Sequence, residues 1–183
     1  MPLFLIGYMG SGKSTLGRGV AAALGWRFID TDKEIERREG MSVSEIFATR
    51  GEEAFRRMER DLIASVSPDE QVVVSTGGGA PCHFDNMERM NAAGVTVYLK
   101  IPAGALAHRL LASRTRRPLI EGKSPEELCA FVEEHLAMRE PYYSRAAHVI
   151  EGVGIRPEHI IETLRADGEE KAPDWQDAER VKE

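Results

Sequence analysis

Positive charge is in short supply in this sequence. Lys and Arg number 24 against 30 Asp and Glu, a formal net charge of −6. A general nucleic-acid binder needs a basic face, so that class is disfavoured, although a local basic pocket for a small anion is not. Cysteine is scarce too: Cys82 and Cys129 stand 47 positions apart in no metal-ligand spacing, which suggests neither a disulfide framework nor a zinc site. No apolar run approaches the ~20 residues of a membrane span. The short stretch Leu3 to Ile6 lacks the basic flank and the length of a signal peptide. Internal repeats and low-complexity linkers are also missing. A soluble, cytoplasmic globular protein with no membrane or nucleic-acid partner is expected. At about 150 residues per domain, the 183 residues allow one domain, placed at 1–165, and a charged tail, 166–183. A domain of that size buries about 70% of its unfolded surface and needs no disulfide or structural metal. Trp175 and Val181 are the tail's large apolar residues, so it reads as a solvated helix or a disordered segment.

What is present is an alternation of short apolar strands with longer helical patterns, the signature of an α/β fold with a parallel sheet covered on both faces. Leu3–Ile6 reads as a buried first strand, followed by a glycine-rich turn and a helix from Lys13 to Leu24, stopped by Gly25. Trp26–Ile29 reads as a second strand ending in Asp30-Thr31-Asp32, with a helix from Lys33 to Glu39 after it. Ser42 and Glu45 have capping-box spacing, and Gly51 precedes a further helix to Val66. Gln71–Ser75 and Val95–Leu99 read as strands three and four, with a helix from Phe84 to Ala93 between them. Helices are expected at Ala103–Ser113, from Pro125 to Met138 and from Pro157 to Leu164. A charged loop is expected at Arg114–Lys123, and a fifth strand at His148–Ile150.

Gly7-Tyr8-Met9-Gly10-Ser11-Gly12-Lys13-Ser14 fits G-x-x-x-x-G-K-[ST] in full, with the buried strand before it and the helix after it that this motif requires. Glycines let successive backbone N–H groups turn inward around a phosphate, and the helix adds the positive end of its dipole. Lys13 is placed to reach the β/γ-phosphates and the Ser14 hydroxyl to ligate Mg²⁺. A nucleoside triphosphate is the expected ligand. A GTPase switch would want N-K-x-D, which the chain lacks, and a motor would want an apolar strand ending in Asp. The third strand ends instead in Ser75-Thr76-Gly77-Gly78-Gly79, glycines suited to backbone within hydrogen-bond distance of a bound molecule. Asp30 and Asp32, two apart on an extended chain, would face the same way, beyond the carboxyl ends where ligands of open α/β sheets gather. One can hold a Mg²⁺-bound water, and the other can act as base for an acceptor hydroxyl. Capping of the helix near Lys33 is the competing role for Asp32. Arg56 and Glu59, three apart on a helix, can pair to make a preorganised fork for a carboxylate. Arg114, Arg116 and Arg117 crowd the charged loop, which reads as a lid. Arg139 is placed after a helix and before Pro141-Tyr142-Tyr143.

As an ordered set these motifs resemble the shikimate kinase family. The resemblance runs from Leu3 to Leu164: Gly7–Thr15, Asp30–Asp32, Ile46-Phe47 before Gly51-Glu52, Phe55–Glu59, Gly77–Ala80, Arg117-Pro118-Leu119, and Arg139 with Tyr143. It implies the P-loop kinase fold, a central five-stranded parallel sheet of order 2-3-1-4-5 flanked by helices, with a lid loop, in a monomer. The implied activity is ATP-dependent phosphorylation of the 3-hydroxyl of shikimate, giving shikimate 3-phosphate and ADP in aromatic amino-acid biosynthesis. ATP and Mg²⁺ are the implied cofactors. By the same resemblance Gly10, Ser11, Gly12, Lys13, Ser14 and Thr15 wrap the phosphates, and Asp30 meets the metal through water. Asp32 holds the shikimate hydroxyls and serves as base. Arg56 and Arg139 grip the carboxylate, Glu59 orients Arg56, and Gly77, Gly78 and Gly79 line the substrate, Gly78 through its N–H. Arg117 stabilises the phosphates, while Arg109 and Arg156 flank the adenine. Glu151-Gly152-Val153-Gly154-Ile155 stands where the family carries an Asp/Asn-Thr pair. Two rivals are another P-loop kinase of a small molecule, such as gluconate or a nucleoside monophosphate, and a non-catalytic nucleotide-binding protein.

Overall fold

Strand β1 (Leu3–Ile6) is sealed from solvent on both faces, as is β3 (Val72–Ser75). This is how near-continuous apolar runs behave in the middle of a parallel sheet. The computed structural model describes residues 1–113, 120 and 122–168. Arg114, Arg116 and Arg117, Trp175 and the tail beyond 168 lie outside the described residues.

The sheet has five strands in the order β2-β3-β1-β4-β5, with every neighbouring pair parallel. The other three are β2 (Arg27–Asp30), β4 (Val95–Lys100) and β5 (His148–Glu151). Burial is complete at the centre and partial or alternating at β2 and β5, the edges. Side chains of one strand point to opposite faces in turn, and the core divides accordingly. Phe4, Ile6, Val72, Val74 and Tyr98 pack on one side with α4 (Asn86–Ala93), α5 (Ala103–Ala112) and α6 (Pro125–Tyr143). Leu3, Leu5, Val73, Val97 and Leu99 pack on the other, against α1 (Lys13–Leu24) and α7 (Pro157–Gly168). A third cluster of Ile35, Ile46, Phe55 and Leu62 joins α2 (Thr31–Glu39) to α3 (Val43–Ala64).

The chain leaves β1 in one direction towards β2 and returns through β3 to cross to β4 on the far side. The carboxyl ends of β1 and β3, at this reversal, are where ligands of such sheets gather. β1 runs there into the Gly7–Ser14 loop, and β3 into Gly77–Gly79.

Several boundaries differ from expectation for identifiable reasons. The two helices expected around Gly51 follow one another directly as the two arms of α3, meeting at a kink where Gly51 takes the non-helical φ 82° and ψ 168°. Its start carries the capping box, Ser42 and Glu45 each bonding the other's backbone N–H. Helix α6 runs on to Tyr143, so Arg139 lies within a helix rather than after one. Pro141 is tolerated in the last turn, where its missing N–H leaves a single carbonyl, that of Ala137, without its helical donor. Helix α2 starts at Thr31, two residues earlier than expected, because Asp30 caps it by accepting from the Lys33 N–H at 3.2 Å. Among the described residues no helix is long and apolar enough to cross a membrane.

Candidate active site

The loop after β1 closes around the Lys13 ammonium. Lys13 is buried, and its Nζ donates to the Gly7 carbonyl at 2.8 Å and the Tyr8 carbonyl at 2.9 Å. Ser11 Oγ is 3.5 Å from the same Nζ. Gly12 enters α1 at φ 98°, a left-handed conformation that suits glycine. Arg109, reaching across from α5, donates to the Gly10 and Ser11 carbonyls at 3.3 Å each. Thr15, in the first turn of α1, is exposed.

Beside the loop lies a cluster of oxygens. Ser14 Oγ donates to Asp30 Oδ2 at 2.5 Å and lies 3.3 Å from Ser75 Oγ. Asp30 is therefore both helix cap and partner of the phosphate-loop serine. Asp32 stands in the first turn of α2, so the two carboxylates do not share the face of a strand as expected. They converge by another route, since the helix turns Asp32 inward. Its Oδ1 is buried without a hydrogen-bond partner. Burial and the Asp30 carboxylate push Asp32 above the usual carboxylate range, against the pull of Lys13 and Arg56.

The glycine loop is where these groups meet. A Cβ on Gly77 would collide with Glu59 Oε1 and stand 2.8 Å from Asp32 Oδ1, and a Cβ on Gly79 would lie 2.6–2.8 Å from the Arg56 guanidinium. A Cβ on Gly78 would sit 3.2 Å from Met9 N and 3.7 Å from Arg139 Nη1. Backbone without side chains is thus what lets the phosphate loop, both carboxylates and both arginines approach one another. The Gly77 N–H is held by Thr31 Oγ1 at 2.8 Å, and the Gly78 carbonyl by the buried Tyr143 hydroxyl at 2.6 Å.

Arg56 donates to Glu59 Oε2 at 2.7 Å and to Glu52 Oε1 at 2.9 Å. Burial works against the Arg56 charge, but Glu59 and Glu52 outweigh it and hold the guanidinium more firmly protonated. Glu59 is fully buried, and burial raises it to about 7 even with Arg56 pulling the other way. Its second oxygen, Oε1, is buried without a partner. Arg139 lies with its guanidinium 5.4 Å from the Tyr8 ring centroid, a cation–π distance. Nearby Cys82 is half-buried, and burial raises its thiol despite Arg139 and Arg56, so the two cations do not activate it.

The structure therefore gathers Lys13, Ser14, Asp30, Asp32, Arg56, Glu59, Gly77, Gly78, Gly79 and Arg139 at one cleft, with Arg109 on its phosphate loop. It does not bring Arg156 there: that side chain is 70% exposed and faces Glu158 and His159. Arg117 is outside the described residues. Thr31, Ser75, Glu52 and Tyr8 stand inside the quoted motifs but were assigned no role, and His135 stands outside them. Glu52 and His135 had a readable signal, a four-residue helical spacing to Arg56 and to Arg139.

The family model described as "Shikimate kinase" matches residues 9–167. A shikimate kinase of Parabacteroides distasonis is 53% identical over 145 residues, 79% of this chain and 84% of that protein. The crystal structure of shikimate kinase from Bacteroides thetaiotaomicron superposes with a TM-score of 0.84 at 41% identity, covering 92% of this chain and 98% of that one. The structure of shikimate kinase from Acinetobacter baumannii in complex with shikimate gives 0.80 at 32% identity, over 94% and 95% of the two chains. With the family model spanning residues 9–167 and a relative 53% identical over 79% of its length, the chain belongs to the shikimate kinase family.

Proposed function

We propose that this cleft transfers the terminal phosphoryl group of ATP to the 3-hydroxyl of shikimate. The observation that carries the reading is the seat of Gly77–Gly79, with the Lys13 loop on one side and Asp32, Arg56 and Arg139 on the other. A triphosphate in the first and a hydroxy acid in the second would lie end to end.

Each residue then has a task. The inward N–H groups of Gly10 to Thr15 and the Lys13 ammonium bind the phosphates, and Lys13 balances the charge on the transferring group. Lys13 is preorganised for this, because two carbonyls already aim its Nζ inward. Arg109, bonded to the carbonyls of that loop, is placed to border the nucleotide; Arg156 has less to support the adenine role. The Ser14, Asp30 and Ser75 oxygens suit a hard cation that keeps much of its water. Mg²⁺ held there by Ser14, and by Asp30 through water, would neutralise phosphate charge. Arg56 and Arg139 offer charge-assisted bonds to the shikimate carboxylate, Glu59 fixes the Arg56 fork, and Gly78 would donate its N–H to the substrate. Asp32 orients the acceptor hydroxyl and takes its proton as the new P–O bond forms. Burial raises its pKa, which makes the ionised carboxylate a stronger base. Water must be kept from competing as acceptor once the site is loaded.

Arg139→Ala tests the acceptor half. Loss of one charge-assisted grip is expected to raise KM for shikimate about tenfold or more, with KM for ATP little changed. Steady-state kinetics with each substrate varied in turn measures this. A variant that lost only nucleotide affinity would contradict the assignment.

A further inference from the structure

Between the two halves of the site stands a histidine to which the mechanism above gives no task. His135, in the middle of α6, is half-buried, with Nε2 3.1 Å from Arg139 Nη2 and Nδ1 3.0 Å from the Tyr8 hydroxyl. A guanidinium has donors only. The 3.1 Å contact is therefore a hydrogen bond only if Nε2 carries a lone pair, so the ring is neutral with its proton on Nδ1. The Tyr8 hydroxyl then accepts from Nδ1–H. A single imidazole thus links residue 8 of the phosphate loop to Arg139.

We propose that His135 is a positioning residue for the acceptor grip: its neutral imidazole, fixed in one tautomer by Tyr8, holds the Arg139 guanidinium where it meets the substrate carboxylate. This rests on the reading of Arg139 as a carboxylate grip. Arg139 also stacks on the Tyr8 ring at 5.4 Å and meets the Tyr143 hydroxyl. Stacking by itself leaves a guanidinium free to turn in its own plane, and His135 adds an acceptor for its Nη2. An acceptor at one Nη removes that freedom and directs the other donors forward. The groups facing the ring are Arg139 and Glu134 from α6 and Tyr8 from the phosphate loop, with Lys123 beyond Phe131. Burial and the Arg139 charge both keep the imidazole neutral at physiological pH. Protonation would remove the acceptor and set a second cation against Arg139.

Two substitutions separate this role from simple packing, because His135 also has an edge-on ring contact with Tyr8 at 5.8 Å and a tilted one with Phe131 at 5.0 Å. His135→Phe keeps a ring and loses both hydrogen bonds. His135→Gln loses the ring but places Oε1 the same number of bonds from Cα as Nε2, where it can accept from Arg139. The Phe variant is expected to raise KM for shikimate about five- to tenfold, with kcat reduced less than KM is raised. The Gln variant should stay within about twofold of wild type. At acid pH below the ordinary imidazole range, where the ring takes up a proton, KM for shikimate should climb more steeply in wild type than in His135→Gln. Whatever acid-side rise remains in the Gln variant belongs to Asp32, to Glu59 and to the nucleotide. A benign Phe variant with a damaged Gln variant would show packing, and would overturn the proposal. So would superimposable pH profiles of wild type and His135→Gln, a comparison that stands even if the Phe variant does not fold. Arg139→Ala, measured alongside, separates the two levels. If it leaves KM for shikimate unchanged, the carboxylate grip itself is wrong. If it raises KM while His135→Phe does not, only the positioning role falls.

Discussion

Lys13→Ala should lower kcat by about a thousandfold, the upper range for removing one preorganised group that meets developing charge. The structure argues for that end of the range. The ammonium is buried, and its direction is fixed by the Gly7 and Tyr8 carbonyls, so a water molecule replacing it would bring neither the charge nor the aim. The fold should survive. The variant forfeits two hydrogen bonds at about 1 kcal/mol each, which for a domain of this size is about 4–8 °C in Tm. Phosphoryl-transfer kinetics beside a thermal melt separates the two effects. Near wild-type turnover would remove Lys13 from the mechanism, and a collapsed melt would make its role structural.

Asp32→Asn is expected to lower kcat by about a hundred- to ten-thousandfold, the contribution of a positioned general base. An amide keeps the shape and can still orient the acceptor hydroxyl, but it cannot take the proton. Here stability should move the other way. Asp32 is pushed upward by burial and by Asp30, and its Oδ1 is buried without a partner. Because its folded pKa is raised, the protonated form is the one that folding favours, and the ionised form becomes a burden as pH rises through that value. Neutral asparagine relieves this at pH 8, so the variant's Tm should equal or exceed that of wild type. A loss of activity with a lowered Tm would mean that Asp32 supports the fold rather than the chemistry.

The sequence was most legible where a local rule has no competitor. Gly7–Ser14 after a fully apolar strand, and α1 from Lys13 to Leu24 ended by Gly25, fall where they were expected, because each needs only its own neighbours. The order of the strands came from family resemblance, since apolar runs of equal length do not say which pairs with which. Asp30 and Asp32 were expected on one strand face, and the structure places Asp32 on a different element. Extended spacing put them on a strand face, whereas the Asp30 side chain prefers to cap α2 and thereby winds Asp32 into its first turn. Helix α6 was expected to end at Met138, but a proline in a last turn costs a single backbone bond, so the helix runs past Pro141 and Arg139 lies inside it. The contacts of Tyr143 with Gly78 and of Tyr8 with His135 join residues 65 and 127 positions apart. Such pairings arise from packing of distant elements and leave no spacing to read.

The central claim is transfer between two particular molecules, and an acceptor panel tests it most directly. ADP release with ATP and Mg²⁺ would be followed with shikimate, gluconate and nucleoside monophosphates in turn, and the products weighed by mass spectrometry. The account predicts rapid ADP release with shikimate alone, matched by a product heavier by one phosphoryl group and lost in Lys13→Ala and Asp32→Asn. Equal or faster transfer to gluconate or a nucleotide, or ADP release with no phosphorylated acceptor, would contradict it.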